Sequence, residues 1–228
     1  MNAVSEGKNV VLLGATGMVG GEALGLLLEE PAVERVTVIG RRPTGIAHEK
    51  LREIIHEDFE EFSSLSDVLE GQDAALFCLG AYTGAVPDEQ FRRITYDITV
   101  AFAGVLRAAS PGAAMCFLSG AGADRSGKSR MAFARYKGMA ENALIEAGFP
   151  RLHIFRPGYI YPVTPRKEPN LVYRISRTLW PVLRVVAAGM GISSVDLARA
   201  MVTGGLEGTG DHDDPVLENR DIRTMVAR

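Results

Sequence analysis

The chain has 228 residues, 46% of them hydrophobic and 23% charged, with a formal net charge of -3 at pH 7. That length suits one α/β domain with a large core, and the composition is that of a globular chain. The slightly acidic balance excludes a general nucleic-acid binder, which needs a basic footprint.

Met1–Lys8 is short and polar and does not read as a signal peptide. No stretch holds about 18 uninterrupted apolar residues, so no integral membrane segment is expected. Cys78 and Cys116 fall in apolar runs of strand type and are expected as free buried thiols in a reducing cytoplasm. His48, His56, His153 and His212 have no metal-ligand spacing, so no metal is expected.

The first predicted strand, Asn9–Leu13, ends in Gly14. Gly17 and Gly20 follow, and a helix predicted over Met18–Glu30 stops at Pro31. Strand, glycine turn and helix in that order suit a dinucleotide pyrophosphate. Gly14 can turn sharply out of the strand, a bare Gly17 lets backbone approach phosphate, and Gly20 lets helix and strand pack closely. The helix N-terminus then offers free N–H groups to the anion. Cofactor contacts are expected at Gly14, Thr16, Gly17, Met18, Val19 and Gly20. The bland alternative is a plain tight turn between strand and helix.

A second strand over Arg35–Ile39 leads into Gly40-Arg41-Arg42. NAD sites usually carry an acidic residue near this strand end, whereas basic groups suit the 2′-phosphate of NADP. Two guanidiniums can grip a phosphate through forked, charge-assisted hydrogen bonds, so NADP(H) is the expected cofactor. A solvated basic turn is the competing reading. Past the third strand, Leu51–His56, stands Asp58. It is placed near the adenine, or else belongs to an acidic loop with Glu57, Glu60 and Glu61.

Ser63 and Ser64 are expected to cap a short helix to Leu69, closed at Gly71. Asp73–Leu79 reads as a strand buried on both faces, with Leu79, Gly80, Ala81 and Tyr82 lining the nicotinamide side. Pro87 opens a long helix to Ser110. Ala113–Leu118 is the fifth strand, with Ser119 at its end. A helix over Arg130–Ala147 stops at Gly148, and Arg151–Phe155 is the sixth strand, followed by Pro157-Gly158-Tyr159.

This alternation implies an α/β fold, a Rossmann-type doubly wound parallel sheet with a small C-terminal helical substrate-side region. Residues 1–228 form a single NAD(P)-binding domain, with 159–228 as the substrate-side cap. Within the cap, Tyr159–Asn170 reads as a proline-containing loop. Ser193 and Ser194 can cap a helix to Val202, and Pro215–Arg228 reads as a strand followed by helix or loop. Leu171–Ala188 is apolar with Arg174, Arg177, Arg184 and Trp180. It can roof a substrate pocket or form an oligomer contact, compatible with a homodimer, or lie on a membrane surface.

Six motifs occur in order: Gly14-Ala-Thr-Gly17-Met-Val-Gly20, Gly40-Arg41-Arg42, Leu118-Ser119-Gly-Ala-Gly-Ala-Asp124, Tyr136-Lys137-Gly138-Met-Ala-Glu141, Phe155-Arg156-Pro157-Gly158 and Leu217-Glu218-Asn219. With them the chain resembles the atypical short-chain dehydrogenase/reductases, close to the Tat-interactive-protein oxidoreductases, over nearly its whole length. The resemblance implies NADP(H) binding and, in several members, a serine–tyrosine–lysine set that reduces or oxidises a carbonyl. It points to Ser119 and Lys137, the lysine also bonding the nicotinamide ribose, and to Pro157 beside the cofactor. Ser119 can equally cap its loop, and Lys137 can be a surface lysine.

The sequence departs from the pattern at Phe133, four residues before Lys137, where the family has tyrosine. Phenylalanine has no proton to give and is expected to be core. Tyr136 points about 100° away from Lys137. The remaining candidate donors are Tyr159, Tyr82, Tyr136 after repacking, or a water held by Ser119. Two readings therefore stand: an NADP(H)-dependent oxidoreductase of an unknown small carbonyl or alcohol, or a non-catalytic NADP(H)-sensing or partner-binding protein. A nucleotide-sugar epimerase is a weaker third, since about 70 residues follow the sixth strand.

Overall fold

The computed structural model describes residues 7–81, 86–163, 189–210, 212 and 214–227. Seven strands form one sheet: β1 (Lys8–Leu13), β2 (Val33–Gly40), β3 (Leu51–Ile55), β4 (Ala74–Phe77), β5 (Ala114–Leu118), β6 (Arg151–Arg156) and β9 (Val216–Glu218). Their order is β3-β2-β1-β4-β5-β6-β9, and every pairing is parallel.

Strand periodicity sorts the core into two layers. Val10, Val11, Leu12 and Leu13 are all fully buried, and successive side chains take opposite faces. Val10 and Leu12 join the helix α1 (Met18–Glu29) through Leu24 and Leu27, together with α6 (Ser194–Leu206) through Leu197 and Met201. Val11 and Leu13 join the other face, where α4 (Ile98–Ala109) and α5 (Ala132–Glu146) contribute Phe102, Ala140 and Leu144. A helix layer on each face buries the sheet twice, which explains the continuous apolar runs of its central strands.

Several elements differ from expectation. The helix after Pro87 is broken into α3 (Asp88–Arg92), a π-turn over Arg93–Asp97, and α4. The short helix α2 (Ser66–Leu69) follows a 3-10 turn over Ser63–Leu65, and neither start carries a side-chain cap. Tyr159–Tyr161 is not loop but a strand, β7, paired in parallel with β8 (Gly191–Ser193). Its partner lies about thirty residues away, so no local signal marks it. Ser193 does cap α6, accepting from Asp196 N–H at 2.9 Å. The tail forms β9 and then the helix α7 (Asn219–Val226). Tyr82 and the Leu171–Ala188 segment lie outside the described residues.

Candidate functional site: a cleft at the sheet's switch point

β1 and β4 are sheet neighbours whose connections leave in opposite directions, and ligands of such sheets bind in the crevice beyond these strand ends. A cavity of about 540 Å3 lies there. Its walls bring together Gly14, Ala15 and Thr16 after β1, Gly40, Arg41 and Arg42 after β2, and Leu79 and Gly80 after β4.

The glycine turn has the shape the sequence suggests. Gly14 has a φ of +87°, and a Cβ there would stand 2.8 Å from the Cys78 carbonyl group. A Cβ at Gly20 would stand 2.2 Å from the Gly14 oxygen, so only a bare residue lets α1 reach the strand end. Gly17 N–H donates to the Gly14 oxygen at 2.8 Å, and Gly21 N–H to Gly17 at 3.1 Å. Between them, the N–H groups of Met18, Val19 and Gly20 are the orphan donors of a first helical turn. That turn carries no acidic residue and no side-chain cap. The Val19 side chain is 4% exposed and faces the core, so only its backbone is available to a ligand.

Arg41 and Arg42 are both exposed and line the cleft, with no ion-pair partner among the described residues. Asp58 does not line it. Its carboxylate accepts from Glu60 N–H at 3.0 Å in a local turn, and the neighbouring Glu57 and Phe59 contribute instead. The far wall holds residues the sequence did not single out: Gln90, Arg93, Ile94 and Ile98. Arg93 stands in the π-turn and pairs with Glu60 at 2.6 Å, which ties this wall to the loop after β3. The proline that opens the helix just beyond the β4 loop was the one available signal for it.

Ser119 directly follows β5 and Lys137 lies in the second turn of α5, both outside the residues that line the cleft. Lys137 is 5% exposed, so the surface-lysine alternative fails. Its Nζ donates to the Leu118 carbonyl at 2.6 Å and lies 4.6 Å from the centre of the Phe117 ring. Burial brings its ammonium down from 10.5 to about 8, against opposing pulls from Glu141 and Cys78.

Ser119 is not free to orient a substrate as its donor. Its hydroxyl donates to Glu141, a carboxylate with 0% exposure. Arg156 grips both oxygens of Glu141, with Nε at 2.9 Å from Oε1, and also reaches Glu218 at 3.0 Å. Those partners hold the Arg156 guanidinium well above its ordinary pKa. The Glu141–Arg156 pair thus absorbs two motif residues into structure.

Phe133 is half-buried rather than core. Its ring covers Gly120, where a Cβ would stand 2.5 Å from Cζ. Tyr136 is 8% exposed, and its hydroxyl donates to Asp88 at 2.7 Å. Arg135 lies over its ring at 4.7 Å, so this tyrosine joins α5 to α3. Tyr159 lies half-buried in β7. The Pro157 carbonyl accepts from Ala121 N–H at 2.9 Å, which joins the β5 and β6 ends. Ala81 is half-buried beyond Gly80 but does not line the cleft. Asp124 is structural: its carboxylate accepts from Ser126 and Ser129, and its backbone oxygen would be 2.0 Å from a Cβ at Gly138.

Residues 9–100 match the family model described as "Semialdehyde dehydrogenase, NAD binding domain". Protein HTATIP2 of Rattus norvegicus is 30% identical over 222 residues, covering 95% of this chain and 88% of that protein. A mitochondrial protein fmp52 of Aspergillus clavatus is 33% identical over 159 residues, 67% of this chain and 66% of its own length. Among solved structures, a UDP-N-acetylglucosamine 4-epimerase from Methanobrevibacter ruminantium M1, in complex with UDP-N-acetylmuramic acid, superposes with a TM-score of 0.69 at 18% identity. It covers 93% of this chain and 76% of that one. MoeE5 in complex with UDP-glucose and NAD superposes at 0.65 with 17% identity, covering 96% and 81%. At such identities the likeness is one of fold.

Proposed function

The chain belongs to the NAD(P)-binding atypical short-chain dehydrogenase/reductase family that includes the HTATIP2 and fmp52 proteins, and from that premise we propose an NADP(H)-binding oxidoreductase acting on a small carbonyl or alcohol. The observation that carries the reading is the pair Arg41 and Arg42 on the wall of the cleft, beside a glycine turn and a helix start with free N–H groups. The cradle fits a dinucleotide: Gly14, Gly17 and Gly20 keep the turn bare of side chains, and Met18, Val19 and Gly20 offer N–H groups to a pyrophosphate. The two guanidiniums suit a 2′-phosphate, which distinguishes NADP from NAD. A bound nicotinamide would supply or accept hydride. Lys137 holds a positive charge behind the β5 end, and the segment after Pro157 is the substrate side.

A second reading is a protein that binds NADP(H) to sense it or to engage a partner, without turnover. The contact of Phe133 with Gly120 favours it, since neither residue brings a hydroxyl to the site. One experiment orders these readings. Fluorescence titration should give much tighter binding of NADPH than of NADH. NADPH consumption is then followed over aldehydes, ketones and quinones. Equal affinity for the two cofactors would sink the NADP reading, and tight binding with no turnover would select the sensor.

A further inference from the structure

We propose that Lys137 is the catalytic acid–base group of this site, exchanging with the substrate oxygen the proton that the family's helix tyrosine exchanges elsewhere. The proposal rests on the oxidoreductase reading and adds to it the proton donor that Phe133 removes.

Two hydroxyls near the β5 end are engaged elsewhere. Ser119 donates to Glu141, Tyr136 donates to Asp88, and Phe133 has none. Lys137 differs from them. It is 5% exposed, yet only one of its three N–H groups is used, by the Leu118 carbonyl. The other two make no hydrogen bond among the described residues, and meet only the face of the Phe117 ring. A buried ammonium with unspent donors is costly unless a ligand oxygen completes it.

Glu141 and Cys78 act on the Lys137 ammonium, and the charges next to them are already paired. Glu141, on its own helix, is taken by Arg156 and Ser119. Arg156, from β6, is balanced by Glu141 and Glu218. Asp88, from α3, is taken by Tyr136. Cys78, at the end of β4, has its thiol pushed up to about 12 by burial and stays neutral. The Leu118 carbonyl and the shared Glu141 carboxylate hold the proton on Nζ only in part, so burial prevails and brings its pKa to about 8, within reach of working pH.

In the reductive direction the carbonyl carbon receives hydride from a reduced nicotinamide, the co-reactant. The carbonyl oxygen takes a proton from Nζ, so an N–H bond breaks and an O–H bond forms. The neutral amine regains its proton from solvent. The oxidative direction runs in reverse and needs the neutral amine.

The test begins without turnover. The chain has five lysines, Lys8, Lys50, Lys128, Lys137 and Lys167, so 13C,15N-lysine labelling gives a short set of side-chain signals. The one absent from Lys137→Arg should titrate near pH 8, well below the ordinary ~10.4 of a lysine side chain. A Lys137 signal titrating near that ordinary value overturns the proposal. In the substrate panel, Lys137→Arg keeps the charge but cannot give up a proton. It should lose roughly 100-fold or more in turnover, the scale of general acid catalysis, while NADPH affinity changes less than about 10-fold. Wild-type reduction should fall as pH rises through about 8. An arginine variant as fast as wild type overturns the assignment, as does a wild type that binds NADPH and reduces nothing. A wild type that binds no NADPH overturns the cofactor reading, and this assignment with it.

Discussion

The ring of Phe133 lies on Gly120 so closely that a Cβ at residue 120 would stand 2.5 Å from its Cζ. The strand end and the helix are matched to one another here: the bare residue makes room for the ring. Ser119, one residue earlier, faces the Glu141–Arg156 pair instead. The resemblance points to a serine, a tyrosine and a lysine acting together. Here Phe133 replaces the tyrosine, the serine hydroxyl enters a buried ion-pair network, and the lysine ammonium holds the carbonyl of Leu118, one residue before that serine.

Arg41→Ala should weaken NADPH binding by roughly 10- to 100-fold, the size of one or two charge-assisted hydrogen bonds at ~1.4 kcal/mol per factor of ten. NADH binding should hardly change. Isothermal titration with both cofactors measures this, and an equal loss for the two would remove the 2′-phosphate from the explanation.

Ser119→Ala should act on stability rather than on the cofactor. It deletes a hydrogen bond to a fully buried carboxylate, costing roughly 1–3 kcal/mol. Urea denaturation should report that loss while NADPH affinity stays within about twofold. A variant of wild-type stability with slowed turnover would return Ser119 to the reacting centre.

Lys137→Met should stabilise the protein at pH 7. The folded pKa of about 8 lies below the unfolded 10.5. The folded state therefore pays for the buried charge below pH 8, a cost that disappears as pH rises towards 10.5. A shift of that size corresponds to about 3 kcal/mol, and losing the Leu118 hydrogen bond returns about 1. Thermal unfolding between pH 7 and 10 should show a higher Tm for the variant at pH 7, converging with wild type at the alkaline end. Lower stability at pH 7 would contradict this account of Lys137.

His153 should set part of the acid limit. It is 7% exposed, its Nε2 has no partner, and burial, with Arg151 and His212 nearby, lowers it from 6.5 to about 4. The unfolded chain takes up a proton between pH 6.5 and 4 that the folded chain refuses, so stability falls across that window by about 3 kcal/mol at most. His153→Leu should flatten this part of the curve, followed as Tm against pH. An unchanged slope would place the acid sensitivity elsewhere.

Much of the fold was legible in local pattern. The run Val10–Leu13 is apolar at every position because both faces of β1 are covered, and Gly14 marks the one positive φ that the turn requires. The Arg41–Arg42 pair was legible because its place after β2 decides what it can meet. Of the two readings open for Asp58, the acidic loop matches its geometry: Glu57 reaches the cleft lining, and Asp58 closes its own turn, which the local sequence of like carboxylates does not reveal. β7 was read as loop because its partner, Gly191–Ser193, lies far along the chain.

By itself, then, the sequence determined the parallel sheet, the bare glycine cradle and the basic strand end, and it exposed the missing tyrosine. These depend on periodicity, on backbone freedom and on residue identity, all of which are local. Only the tertiary structure decided that Ser119 serves Glu141, that Phe133 rests on Gly120, that Arg93 helps form the far wall, and that Lys137 is buried with its ammonium on the Leu118 carbonyl. A polar side chain's role follows from the partners that distant elements bring to it, and those partners come from β6, α3 and α5, which meet only once the sheet is wound.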